Sequence, residues 1–161
     1  MKKAKGIDVS HWQGRIDFDK VKSQGYSFVM INAGYGKYIS QKDENFEKNY
    51  AAARKAGLNI GTYWYSYALT EADALAEAKT FLESVKGKKF EYPLAFDIED
   101  ASQSELPNAA INKIIEAFCD YLESNGYYAA VYSYANFFKR VLDAVLSFLA
   151  LTVLFPFLLI F

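Results

Sequence analysis

The stretch ARKAGLNIGTYWY, residues 53–65, shows how the chain alternates between two kinds of secondary structure. A helical pattern ends at Gly57, and an apolar run typical of a strand follows it directly. Glycine readily adopts the left-handed conformation that ends a helix and redirects the chain. The same order of helix, glycine and strand recurs at Gly25 and Gly126. The chain is therefore predicted to consist of repeated helix–strand units.

Five strand-like runs with helical patterns between them predict an α/β fold with a parallel sheet. The clearest helix begins after Pro107 and carries one apolar stripe at helical spacing. This alternation is compatible with an open doubly wound sheet or with a barrel. The predicted strands are 5–9, 27–32, 58–65, 92–98 and 127–132, and the predicted helices are 16–24, 44–56, 70–85, 108–124 and 134–146.

Composition narrows the range of functions. A chain of 161 residues is long enough for one domain with a substantial core. Its net charge of -1 provides no electrostatic basis for binding nucleic acid. The single cysteine, Cys119, excludes an internal disulfide, and the single histidine, His11, excludes a site with several histidine ligands. We therefore expect no metal centre of that kind and no cofactor.

The run FDIED, residues 96–100, places three acidic residues at the end of the fourth predicted strand. Because side chains alternate along a strand, Asp97 and Glu99 share one face, about 6.5–7 Å apart along the strand. Asp100 has the opposite parity and is expected to end the strand or begin the next loop. By the same alternation Asp8 points inward from the first strand. These three inward carboxylates are expected to meet at the mouth of the fold.

Carboxylates that lie close together repel, and the pKa of one of them rises. Such a pair supplies a proton donor beside a charged partner, which is what glycoside hydrolysis requires. Two other interpretations remain open: solvated acids at a strand end, and a different hydrolase in which Asp8, Asp97 and Glu99 hold Mg²⁺ or Ca²⁺.

Two segments resemble glycoside hydrolase family 25, the lysozymes of Chalaropsis and phage type. They are GIDVSHWQG at residues 6–14 and YPLAFDIED at residues 92–100, about ninety residues apart. The similarity runs from residue 5 to about residue 147. Further matching segments are FVMINAGYG at 28–36, NFEKNYAAARKAGLNIGTYWYSYA at 45–68 and GYYAAVYSYANFF at 126–138.

The resemblance implies a TIM-like (β/α) barrel that hydrolyses the β-1,4 bond between N-acetylmuramic acid and N-acetylglucosamine of bacterial peptidoglycan. It implies Glu99 as general acid and base, Asp97 as the group that orients and stabilises the reacting centre, and Asp8 as support. It also implies action outside the cell or in the cell wall, and a bacterial or phage origin. The implied aromatic wall of the cleft consists of Tyr35, Tyr63, Tyr65 and Tyr132.

The end of the chain departs from the family pattern. The predicted catalytic domain covers residues 1–147 and supplies five βα units, whereas a compact barrel of this type needs about 200 residues or more. Residues 148–161 form an apolar tail, expected from a frame shift or truncation, and the uncharged run 144–161 alternatively suggests a membrane segment. No secretory signal is visible at the start. An incomplete barrel predicts reduced stability and little or no activity, and a non-catalytic glycan-binding module is the alternative function.

Overall fold

The computed structural model describes residues 4–134, which form one five-stranded parallel sheet with helices between the strands. Three short 3-10 helices, His11–Gln13, Ile39–Gln41 and Ala101–Glu105, follow strands. The strands are β1 (Gly6–Val9), β2 (Phe28–Tyr35), β3 (Asn59–Tyr65), β4 (Leu94–Asp97) and β5 (Ala129–Tyr132). The helices are α1 (Phe18–Ser23), α2 (Phe46–Lys55), α3 (Glu71–Ser84) and α4 (Asn108–Ser124).

The strand order in the sheet is β1-β2-β3-β4-β5, the same as the order in the chain. A doubly wound sheet reverses its strand order at a switch point, and the described strands contain no such reversal. Because crossovers between parallel strands are right-handed, a sequential order places all the helices on one face of the sheet. The α/β prediction is thus confirmed and the doubly wound option is wrong, while closure into a TIM-like barrel stays a prediction.

The core lies between this helical face and the sheet. Leu94, Phe96 and Ile98 are buried, as the alternation along the fourth strand predicts. Phe96 stacks on Phe118 of α4 with ring centroids 4.0 Å apart, and Trp64 of β3 stacks on Phe81 of α3 at 5.3 Å. Side chains alternate along a strand, and Leu94 and Phe96 of β4 point into the core. Ala95 and Asp97 therefore project from the other face of the sheet.

The bounds of all five strands differ from the prediction by one residue or more, and the second and fourth strands differ most. The second strand extends to Tyr35 because it continues past an irregularity between Asn32 and Gly34, a local break in register that the sequence pattern does not reveal. The fourth strand is shorter and ends at Asp97, since the chain turns at Asp100 into the 3-10 helix. The prediction for α4 is confirmed at both ends.

Some predictions fall outside the described residues. Tyr134 is described and is not helical, while the rest of the predicted helix 134–146, the domain limit at residue 147 and the apolar run 144–161 lie beyond residue 134. Within residues 4–134, no helix combines the length and the apolar character needed to cross a membrane.

Candidate active site

A cavity of about 280 Å³ opens on the sheet face opposite the helices. All five described strands contribute to it, either directly or through the residues that follow them. Five residues predicted from the sequence are brought together there, and Met30 and Ala95 join them. The full lining is Asp8, Met30, Tyr63, Ala95, Asp97, Glu99 and Tyr132.

Strand register explains this convergence. Asp97 is the register partner of Tyr132, Ala95 is the partner of Tyr63, and Asp8 is the partner of Met30. Residues that pair across parallel strands project to the same face of the sheet. The sequence predicts the face for each strand separately, whereas the pairing determines which residues meet.

Asp97 is buried, with 4% of its surface exposed, and its Oδ1 atom has no hydrogen-bond partner. Burial raises the pKa of this carboxyl to about 7, and the negative charges of Glu99 and Asp8 add to the effect. An acid with this pKa exchanges its proton near neutral pH. The raised pKa agrees with the repulsion that is expected between carboxylates lying close together.

Glu99 lies two residues beyond the end of β4 and is half-buried in the cavity. The backbone N–H of Ile98 donates to the carbonyl of Tyr132 at 3.0 Å, and the Ser133 hydroxyl donates to the carbonyl of Ile98. These bonds hold the segment in line with β5 after the strand itself has ended. Burial also raises the pKa of Glu99, although a hydrogen bond with Tyr134 opposes this, and Oε2 of Glu99 lacks a partner.

Tyr134 is a site residue that the sequence analysis missed. Its hydrogen bond to Glu99 places it at the cavity mouth, next to Tyr132. The sequence contains a sign of this position, because Tyr132 and Tyr134 are two residues apart and project to the same face of an extended segment. The predicted start of a helix at residue 134 hid that relation.

The four predicted tyrosines divide into two groups. Tyr63 and Tyr132 line the cavity with the carboxylates, and burial with the nearby acids raises the pKa of Tyr63 to about 12, against a hydrogen bond with Asn32. Tyr35 and Tyr65 do not line the cavity; they contact Tyr67, with centroid distances of 6.0 and 5.2 Å. Because its pKa is raised, Tyr63 keeps its hydroxyl proton at neutral pH and can donate a hydrogen bond.

Asp100 has the capping role predicted for it. Its Oδ1 accepts hydrogen bonds from the backbone N–H and the hydroxyl of Ser102, at 3.0 and 2.6 Å. The side chain of Gln103 accepts from the backbone N–H of Asp100 at 3.1 Å, which completes a capping box. The Ser102 bonds lower the pKa of Asp100. This carboxylate is used to begin the 3-10 helix Ala101–Glu105 beside the site.

We expect Asp100→Ala to lower the free energy of unfolding by about 1 kcal/mol, because the N-cap bonds are lost. Asp100→Asn is the matched control, since asparagine is an equally good N-cap. Chemical denaturation of the two variants and the wild-type chain measures the difference. Equal stability losses in both variants would contradict a capping role.

His11 belongs to a polar pair beside the cavity. Its backbone N–H and its Nδ1 atom lie 2.9 and 2.7 Å from Oδ2 of Asp43. The buried Asp43 carboxylate also accepts from the backbone N–H of Asn45 at 2.9 Å. The pair ties the loop after β1 to the start of α2, which agrees with a structural role for His11. Asp43 carries no recognisable motif and was missed.

Metal ligation is not supported by the arrangement of the side chains. Across residues 4–134, no three histidine, cysteine or acidic side chains are grouped so that they could hold a metal ion. Asp8, Asp97 and Glu99 therefore do not form the oxygen cage that the Mg²⁺ or Ca²⁺ alternative requires.

Comparison with known proteins identifies relatives of this chain. The model of the family Glycosyl hydrolases family 25 matches residues 7–150. The autolytic lysozyme of Clostridium acetobutylicum is 33% identical over 147 residues, which are 91% of this chain and 43% of that protein. Lysozyme M1 of Streptomyces globisporus is 48% identical over 61 residues, or 38% of this chain and 20% of that protein. The chain thus spans less than half the length of these curated relatives.

Solved structures agree with the sequence comparison. A bacterial lysozyme from Streptomyces coelicolor superposes with a TM-score of 0.74 at 29% identity, covering 87% of this chain and 67% of that one. The modular autolysin LytC from Streptococcus pneumoniae, solved in complex with a synthetic peptidoglycan ligand, has a TM-score of 0.74 at 28% identity. That match covers 84% of this chain and 33% of LytC.

Proposed function

The chain belongs to glycosyl hydrolases family 25, and from this premise we propose that it is a peptidoglycan muramidase. The substrate bond is the β-1,4 link between N-acetylmuramic acid and N-acetylglucosamine, and the site of action is the bacterial cell wall. Residues 1–147 form the proposed catalytic domain, which the family match over residues 7–150 supports. The names of the lysozyme and autolysin relatives support this substrate.

The observation that carries the proposal is a pair of acids in one open cavity, each with a buried carboxylate oxygen that has no hydrogen-bond partner. Among the described residues, only four buried side-chain polar atoms lack a hydrogen-bond partner, and two of them are Oδ1 of Asp97 and Oε2 of Glu99. A folded protein rarely leaves such atoms unsatisfied, because each one costs free energy. Their presence side by side indicates that a substrate supplies the missing bonds.

In the proposed mechanism Glu99 protonates the leaving glycosidic oxygen and then accepts a proton from the attacking water. Both Glu99 and Asp97 have raised pKa values, so the pair retains a proton close to neutral pH. An acetamide N–H of the bound sugar donates to Asp97, which favours the charged form of that carboxyl. The shared proton is then held by Glu99, the group that lies at the mouth beside the scissile bond.

The remaining groups stabilise charge and position the sugar. Asp97, once ionised, stabilises the positive charge that develops at the sugar carbon or orients the N-acetyl group that reacts there. Asp8 contributes negative potential from β1, as its effect on the pKa of Asp97 indicates. The ring faces of Tyr63 and Tyr132 pack against sugar C–H groups. Tyr35 and Tyr65 extend this aromatic wall outside the cavity.

Release of reducing sugar ends from purified peptidoglycan tests the proposal. We expect the full chain to release them at a low but measurable rate, and mass spectrometry of the products to show N-acetylmuramic acid at the new reducing ends. The alternative, a non-catalytic glycan-binding module, predicts that the chain sediments with peptidoglycan and releases nothing. New reducing ends on N-acetylglucosamine would instead assign the chain to a different bond specificity.

A further inference from the structure

A second groove, of about 400 Å³, lies between the loop after β2 and the start of α3. It contains a buried acidic residue that the proposed mechanism does not use, Glu77. Exposed aromatic and aliphatic side chains and one ion pair surround it. The lining is Gly36, Lys37, Tyr38, Gln41, Tyr67, Leu69, Asp73 and Glu77.

Glu77 has the same unusual feature as the active-site acids. Only 2% of its surface is exposed, and its Oε2 atom has no hydrogen-bond partner. Its other oxygen accepts from the backbone N–H of Tyr67 at 2.9 Å, which holds the loop after β3. Burial raises the pKa of Glu77, against hydrogen bonds with Ser66 and with the Tyr67 backbone. The carboxylate therefore has a structural role, while its Oε2 atom remains without a partner in the lining of the groove.

The groove is connected to the active site by aromatic rings. The hydroxyl of Tyr65 donates a hydrogen bond at 3.3 Å to Oδ2 of Asp100, which is the residue directly after Glu99 in the chain. Tyr65 contacts Tyr67 at 5.2 Å between ring centroids, and Tyr67 lines the groove. These contacts form a chain of neighbouring residues from Asp100, beside Glu99, to the lining of the groove.

The chemistry of the groove fits a neutral ligand rich in hydroxyl groups. Lys37 and Asp73 neutralise each other across 3.1 Å, so no unpaired cation is present in the lining to attract an anion. Tyr38, which is 61% exposed, and Tyr67 offer ring faces, while Glu77 offers an acceptor for a hydroxyl or amide N–H. Aromatic faces beside a hydrogen-bonding carboxylate suit the C–H face and the polar edge of a pyranose ring.

We propose that this groove is an accessory subsite that binds a sugar of the glycan strand outside the active-site cavity, with Glu77 as its hydrogen-bond acceptor. The inference rests on the proposed muramidase function and adds to it a preference for long substrates. Sugar units bound at Tyr38, Tyr67 and Glu77 hold a long strand in place. The tetrasaccharide serves as the short reference substrate, because it has fewer sugars than a long strand to place outside the cavity at Asp97 and Glu99.

The test compares kcat/KM for long, peptide-free glycan strands with kcat/KM for the tetrasaccharide of the same repeat. Glu77→Gln keeps an acceptor for the Tyr67 N–H but removes the free carboxylate oxygen. We expect it to lower the ratio of the two values about tenfold, the effect of one hydrogen bond to a charged group. Tyr38→Ala removes an exposed ring and should lower the ratio in the same direction without disturbing the core.

Two control variants match these changes. Glu83→Gln alters an exposed acid on the same helix outside the groove, and Tyr128→Ala removes a ring that is 76% exposed just before β5, away from the groove. Neither should change the ratio. A ratio that is the same in Glu77→Gln and Tyr38→Ala as in the wild type overturns the subsite. A loss seen only with strands that carry stem peptides also overturns it, because the groove would then bind peptide.

A binding experiment separates this inference from the proposed function. Dissociation constants of long strands and of the tetrasaccharide are measured in the Glu99→Gln background, with and without Glu77→Gln. Weaker binding of long strands alone, by about tenfold, supports the subsite even if the chain hydrolyses nothing. Equal weakening of both ligands, or of neither, contradicts the subsite while leaving the muramidase assay to be judged separately.

Discussion

Glu99→Gln should abolish the release of reducing ends from peptidoglycan. Glutamine has nearly the same shape as glutamate, but it cannot transfer a proton to the glycosidic oxygen. General acid–base catalysis contributes a factor of about 10²–10⁴, so we expect a loss of at least that size in kcat. Because Oε2 of Glu99 has no hydrogen-bond partner in the protein, the substitution breaks no described contact of that atom. The measurement is initial-rate reducing-end release at neutral pH.

The control for this variant is Glu105→Gln, an exposed glutamate in the 3-10 helix that follows the site. It removes the same charge and the same functional group from a neighbouring position. Full activity in this control together with loss in Glu99→Gln assigns the effect to proton transfer. If Glu99→Gln retains more than about a tenth of the wild-type rate, Glu99 is not the general acid. Retained binding to peptidoglycan in the inactive variant would show that the fold is preserved.

Asp97→Asn should make the protein more stable and, at the same time, less active. The pKa of Asp97 is raised from 3.8 to about 7, chiefly by burial and then by the charges of Glu99 and Asp8. Ionising this group in the folded state is therefore unfavourable. Each pKa unit corresponds to 1.36 kcal/mol, so the substitution relieves up to about 4 kcal/mol at pH 8. We expect an activity loss of about 10²-fold, since the charge that stabilises the reacting centre is removed.

The pH dependence of this stability difference follows from proton linkage. Below about pH 4 residue 97 is protonated in both the folded and the unfolded state, and it contributes no difference. Between pH 4 and pH 7 the unfolded state loses the proton first, so the wild-type protein loses stability as the pH rises. Above pH 7 the difference is constant. Chemical denaturation of both proteins across this range measures it, and a difference that does not change with pH would contradict the burial of a titrating carboxyl.

Repeating the comparison in the Glu99→Gln background tests the second cause of the shift. Without the charge of Glu99, the pKa of Asp97 should move back towards its ordinary value. The stability gained from Asp97→Asn should therefore be smaller in that background than in the wild-type protein. An unchanged gain would mean that Glu99 does not contribute to the raised pKa of Asp97, which burial and the charge of Asp8 would then set.

The alternation and the faces of the elements could be predicted from the sequence because both depend on neighbours in the chain. The helix Asn108–Ser124 follows from one apolar stripe and its flanking Pro107 and Gly126. The inward positions of Asp97 and Glu99 follow from the period of two along a strand. The capping role of Asp100 follows from its parity and its place after the strand. Each of these inferences uses residues within a few positions of each other.

The pairing of distant residues was decided by the tertiary structure. The sequential strand order places Asp8, Tyr63 and Tyr132 around one cavity, although more than fifty residues separate each from the next. Burial of Asp97, the Asp43 partner of His11 and the free oxygen of Glu77 likewise depend on which elements pack together. A sequence records which chemical groups a chain carries and, through local periodicity, which face each occupies. Which of them meet, and how far water is excluded around them, is determined only when the strands pair and the helices cover the sheet.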